Sequence, residues 1–190
     1  MVVFDATTLL LLLSPDVAAP PNSATGQPVE RVRDRIDYLV QRLEKDRAKI
    51  IVPTPALSEI LVRTGTAGPE YLSRIKSAAA FRIVPFDERA AVEVAAMTQD
   101  ALGTGDKRHG GEGTWAKLKY DRQIVAIAKV EGVSVIYSDD GNIHNFGGRA
   151  GLSVIRIADL PLPPDDAQQS LPLEGRGIDE SDNEESGQDE

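Results

Sequence analysis

Cysteine is absent from the 190 residues, which excludes disulfides and thiolate metal sites and leaves any metal to oxygen ligands or to His109 and His144. Two histidines are too few for a zinc centre of the usual kind. No uninterrupted apolar stretch in the sequence approaches the ~20 residues that span a bilayer, so no membrane partner is expected. Basic residues are missing before Arg31, and Asp5 interrupts the apolar opening MVVFDATTLLLLLS. That opening reads as a buried strand and helix of a cytoplasmic protein rather than a signal peptide. A P-loop is missing too, because the Gly-rich DALGTGDKRHGGEGT contains no Gly-Lys followed by Ser or Thr. It reads as a mobile flap over a site.

An excess of positive charge is also lacking, the net charge being -9. Yet residues 165–190 hold ten acids and one Arg and carry that whole excess, so residues 1–164, with 20 basic and 20 acidic groups, are balanced. The acidity therefore does not count against a nucleic-acid substrate. The closing segment is rich in Pro, Ser, Gly and charge, and is expected to stay disordered and solubilising. The chain, of 20.5 kDa, divides into one domain over 1–160 and an acidic tail over 161–190.

Short apolar runs alternate with helical patterns. VVF (2–4) reads as a buried strand, with Thr7 or Thr8 capping a brief helix to Leu13. Residues 14–28 form a Pro-rich loop, and residues 29–47 an amphipathic helix with Val32, Ile36, Leu39, Val40 and Leu43 on one face. IIV (50–52) is the second strand, followed by a helix that Thr54 caps and Pro55 opens. A helix from Pro69, the strand FRIV (81–84) and a helix capped by Asp87 come next. WAKLKYDRQIVAIAKVEG is a further helix ending at Gly132, VSVIY and LSVIRI are strands, and SDDGNIHNFGGRAG is a loop between them. This alternation predicts an α/β fold in three α/β/α layers around a mostly parallel sheet of four to five strands.

Acids punctuate the pattern. Asp5 and the pair Asp139 and Asp140 stand at carboxyl ends of strands, where ligands of such sheets bind, and Glu59 and Asp121 are expected in the first turns of helices pointing to the same place. Carboxylates gathered there repel one another, and a hard divalent ion resolves the conflict. Each acid also has a structural reading: Asp5 and Asp121 as helix caps, Glu59 as the partner of Arg63, Asp139 or Asp140 as turn residues. Thr7 and Ser138 are placed to orient carboxylates or metal-bound water. Lys117, Lys119 and Arg122 are candidates for phosphate contact, with Arg122 the favoured one. Trp115 and Tyr120 either stack on bases or anchor the helix to the core.

In order and spacing, VVFDATTLL, PTPALSEIL, YDRQIVAIA and YSDDGNIHNF resemble the PIN-domain family of metal-dependent ribonucleases over residues 1 to 158. The resemblance implies catalytic roles for Asp5, Glu59, Asp121 and Asp140, with Asp5, Asp121, Asp139 and Asp140 holding Mg²⁺ or Mn²⁺. The doubled aspartate leaves the last ligand open between Asp139 and Asp140. It also implies an RNA substrate, a homodimer, and, as in VapC-type toxins, an antitoxin that packs on helices and inserts a basic side chain near the acids. A PIN nuclease of RNA processing, without an antitoxin, would share every one of these segments.

Two rivals come from other classes. A haloacid-dehalogenase-type phosphatase also ends its first strand in Asp and uses a later Asp pair with Mg²⁺, but needs a second Asp where Thr7 stands and gives Glu59 no role. A catalytically silent partner-binding protein has no use for all four carboxylates.

Overall fold

A computed structural model of the chain describes residues 1–164; the acidic tail expected to be disordered lies, apart from its first four residues, outside the described residues. Five strands, β1 (Val2–Phe4), β2 (Ile50–Pro53), β3 (Phe81–Val84), β4 (Val135–Tyr137) and β5 (Ser153–Ile155), form one sheet in the order β3-β2-β1-β4-β5. Every pairing is parallel. Val3 anchors the register, lying opposite Ile51 on one side and Ile136 on the other. All residues of β1 and β2 are buried, so these strands read as unbroken apolar runs, as strands covered on both faces must.

Among the described residues, seven α-helices flank the sheet: α1 (Ala6–Leu13), α2 (Val32–Lys45), α3 (Thr54–Thr64), α4 (Gly68–Ser77), α5 (Glu88–Gly103), α6 (Trp115–Val130) and α7 (Gly141–Arg149). α1 packs on α2 and α3, and α3 on α4, while α5 packs on α6 and α6 on α7. Right-handed crossovers, running outward through β2 and β3 and then back past β1 to β4 and β5, place those two groups on opposite faces. The expected α/β fold in three layers is therefore present, with five strands. In α6 every residue from Ile124 to Ala128 is buried. This helix is a core element, so a carboxylate on it starts from a dry environment.

Four local expectations are corrected. Asp5, not Thr7 or Thr8, caps α1, its carboxylate accepting from Thr8 N. Pro53 takes the cap position of α3, and the Thr54 hydroxyl instead accepts from Phe86 N at 3.0 Å. The stretch read as a loop after β4 contains α7, because Asp140 caps it and Ile143 and Phe146, one turn apart, are buried together; its glycines concealed that signal. Finally, residues 103–113 are docked on α6 and α7 rather than held over a site. Asn145 Nδ2 donates to His109 O at 2.8 Å and Asn142 exchanges two bonds with the Glu112 backbone. Gly111 lies so close to Leu118 that a Cβ would come within 2.5 Å of its Cδ2.

Candidate functional site

The sheet order turns at β1, and the crevice outside the carboxyl ends of β1 and β4 is the natural ligand position of such a sheet. A cleft of about 430 Å³ opens there, lined by Asp5, Thr7, Glu59, Lys117, Asp121 and Asp140, with Val62 and Tyr120 on its apolar walls. Asp5 arrives directly from β1 and Asp140 from β4. Asp121 and Glu59 do not come from first turns as expected: Thr114 caps α6 and Pro53 precedes α3, which places both acids more than one turn inside their helices.

Asp5 is 5% exposed. Its Oδ1 accepts from Thr8 N at 2.8 Å and its Oδ2 from Ser138 Oγ at 2.6 Å. Burial pushes its pKa up to about 6, against the opposing bonds from Ser138 and Thr8, and repulsion from Asp139 adds to the rise. Ser138 Oγ also accepts from Asp140 N at 3.1 Å, so one hydroxyl joins the two strand-end acids. Thr8 does a second service, its hydroxyl donating to Tyr137 O at 2.9 Å. This ties the start of α1 to the end of β4.

Asp121 is 6% exposed, and its Oδ2 accepts from Asn142 Nδ2 at 2.8 Å and from Lys117 Nζ at 3.1 Å. Burial, reinforced by repulsion from Asp140, raises its pKa, although Asn142 and Lys117 work the other way. Asp140 commits Oδ1 to the first amides of α7, Asn142 N at 2.8 Å and Ile143 N at 3.2 Å. Its Oδ2 accepts from Lys117 Nζ. For Lys117 itself, partial burial acts to lower the pKa, but the bonds to Asp140 and Asp121 outweigh it and the net direction is upward.

Glu59 stands on the rim, its side chain 56% exposed, with Arg63 Nη1 at 3.5 Å. Arg63 also donates to Thr7 Oγ1 at 3.3 Å. The structural readings of Asp5 as a cap and of Glu59 as the partner of Arg63 are thus realised alongside their place in the cleft; Asp140, read as a turn residue, caps α7, and Asp121 is no cap.

Asp139 and Arg122 are not brought to the cleft. The Asp139 carboxylate turns toward the segment after β5, Oδ1 accepting from Ile157 N at 3.0 Å and Oδ2 buried without a partner. Burial raises its pKa, with the Ile157 amide and Arg156 opposing. Arg122, expected at a phosphate, is 2% exposed, donates to Thr98 Oγ1 at 3.2 Å and Lys107 O at 2.9 Å, and lies 5.4 Å from the Trp115 ring and 5.0 Å from that of Phe146. It follows Asp121 on the helix and so points to a different face. Trp115 is accordingly an anchor, whereas Tyr120 is 51% exposed at the cleft.

The Thr8 contacts that orient Asp5 and tie α1 to β4, the Asn142 bond to Asp121 and the pairing of Lys117 with Asp121 and Asp140 are not among the sequence expectations. The spacing of four residues between Lys117 and Asp121 was a usable signal. The Asn142 contact spans 21 residues to Asp121 and had none.

Among the described residues, no three His, Asp or Glu side chains close on one point at metal-binding separation. Convergence is pairwise: Oδ2 of Asp121 and Oδ2 of Asp140 meet at one cationic atom, Lys117 Nζ, with Asp5 linked to Asp140 through Ser138. Two carboxylates with room for water and phosphate oxygens suit Mg²⁺, which keeps several waters and seldom takes an all-protein cage. The donor set fits one such ion.

No protein-family model and no curated protein matches the sequence. Solved structures do match the fold. DNA-bound VapBC from Salmonella typhimurium is similar at 13% identity over 82% of this chain and 97% of that one, with a TM-score of 0.51. VapBC2 from Rickettsia felis, bound to a DNA fragment from their promoter, is similar at 13% identity over 82% of this chain and 98% of that one, with a TM-score of 0.52. The fold is PIN-like, shared with the VapBC structures, and accounts for nearly the whole length of those chains.

Proposed function

We propose that this chain is a metal-dependent endoribonuclease of the VapC type, a toxin hydrolysing RNA phosphodiester bonds. The observation that carries the reading is the meeting of Asp121 Oδ2 and Asp140 Oδ2 at a single cationic atom, beside Asp5, in the crevice at the sheet's turning point. The PIN-like fold shared with the VapBC structures supports it, and so does the order of the four acids along the chain. In this reading Asp121 and Asp140 would hold Mg²⁺ or Mn²⁺, with Asp5 beside them and Glu59 facing them from the rim. A bound ion of this kind lowers the pKa of a water and neutralises charge on the phosphate oxygens.

The chain's own residues supply the rest. Ser138 and Thr8 fix both oxygens of Asp5, and Asn142 fixes Asp121, so the carboxylates are oriented before substrate arrives. Thr7, joined to Arg63, and the exposed ring of Tyr120 border the place where an RNA strand would lie. The VapBC likeness extends the proposal to an antitoxin partner, and the resemblance of the sequence to PIN domains extends it to a homodimer.

Incubating the purified protein with RNA and Mn²⁺, with and without chelator, tests the reading. Cleavage that the chelator and Asp121→Asn both abolish is expected. Hydrolysis of a phosphate monoester with no cut in RNA would establish the phosphatase alternative, and neither activity would leave a binding protein.

A further inference from the structure

We propose that Lys117 is a resident counter-cation of the acidic cleft: its ammonium holds Asp121 and Asp140 together until a divalent ion takes their oxygens, and it is then released toward the substrate. The proposal rests on the metal-dependent reading above.

The geometry is specific. Asp121 lies on α6, and Asp140 is the cap of α7; the two carboxylates belong to residues 19 positions apart, on different elements, and still share one Nζ. Asp140 Oδ1 is committed to two amides of α7, which leaves Oδ2 as the oxygen free to bind a cation, and that is the oxygen Lys117 holds. Asp121 likewise presents Oδ2. The ammonium therefore sits on the oxygen atoms that a divalent ion needs, and two cations cannot share those lone pairs at the ~2.1 Å of a Mg–O bond.

Lys117 can leave. It is one helical turn before Asp121, so its stem runs along the same face of α6, and its side chain is 45% exposed whereas that of Asp121 is 9% exposed. It thus reaches in from solvent on a flexible four-carbon stem. Arg63 is engaged with Glu59 and Thr7 and, among the described residues, forms no ion pair or hydrogen bond with Asp121 or Asp140. Once displaced, the Lys117 ammonium remains at the cleft it lines, where phosphate oxygens are the available partners. Without metal, removing it leaves two carboxylates facing each other with no counter-charge.

Titrating Mn²⁺ into wild type and Lys117→Met by calorimetry tests the exchange, Met keeping the apolar stem. The variant is expected to bind Mn²⁺ at least about tenfold tighter, to melt below wild type without metal, and to gain more in melting temperature at saturating Mn²⁺. A measurement on wild type alone guards against a variant that does not fold: reductive methylation of lysines, read by mass spectrometry, should label Lys117 faster with saturating Mg²⁺ than without, Lys119 being unchanged. Equal or weaker Mn²⁺ binding by the variant, or Lys117 labelling indifferent to Mg²⁺, would overturn the proposal while a metal-dependent RNA cut by wild type left the nuclease reading intact. If wild type bound neither ion, both would fall together.

Discussion

Ser138 Oγ donates to Asp5 Oδ2 at 2.6 Å, joining residues 133 positions apart at the carboxyl ends of adjacent strands β1 and β4. Through this bond and the Thr8 amide, a carboxylate that burial drives toward its neutral form is kept in a single orientation. Orientation and stability pull in different directions here.

The pH dependence follows from that conflict. The folded pKa of Asp5 is about 6, above the ~3.9 of an unfolded Asp, so between about pH 4 and pH 6 the folded state keeps a proton that the unfolded chain has lost. Stability falls as pH rises through that window, by about 3 kcal/mol for this group. Asp5→Asn removes the titrating group, and its amide can accept from Thr8 N and donate to Ser138 Oγ. Urea denaturation should show the variant more stable than wild type at pH 7, with a shallower loss between pH 4 and pH 6, and no RNA cleavage. A variant less stable than wild type at pH 7 would count against an ionised, buried Asp5.

Asp139 and Asp140 should separate cleanly. Asp140→Asn removes the oxygen directed into the cleft and is expected to lower cleavage by two orders of magnitude or more, together with Mn²⁺ affinity. Asp139→Asn keeps an acceptor for Ile157 N and removes a buried charge that faces away from the cleft, so cleavage should stay within a few-fold of wild type. Parallel rate and calorimetric measurements on the two variants check the assignment.

Arg122 should behave as a core residue. Its guanidinium is hydrogen-bonded to Thr98 and Lys107 and packed by Trp115 and Phe146. Arg122→Ala should cost about 2–4 kcal/mol in urea denaturation, since it leaves a void and unpaired groups. Arg122→Lys should recover little, because an ammonium does not reproduce a planar donor set between two rings. Loss of RNA binding with unchanged stability would contradict this.

Tyr120 and Val62 are both exposed in the lining of the cleft, a surface suited to an unpaired base. Base stacking on an aromatic side chain contributes ~1–3 kcal/mol, so Tyr120→Ala should raise KM for single-stranded RNA about tenfold with little change in kcat. Tyr120→Phe should match wild type. Equal kinetics for Tyr120→Ala would show that no base stacks there.

The sequence by itself determined the layered fold and the acids' approximate convergence. Apolar runs such as VVF and IIV between helical patterns admit only strands buried on both faces, and residues that directly follow parallel strands must share one edge of the sheet, as Asp5 and Asp140 do. Local chemistry also located the Asp87 cap and the Gly132 stop. It could not locate α7, whose stability comes from Ile143 and Phe146 reaching a core built by other elements.

Only the tertiary structure decided between neighbours. Asp139 and Asp140 are identical in type and adjacent, yet successive side chains leave an extended backbone in opposite directions, so one met Ile157 and the other Lys117. Asp121 and Arg122 parted in the same way around a helix. Which of two like residues enters the cleft depends on elements folded against it from elsewhere in the chain, and that information does not reside in the local pattern.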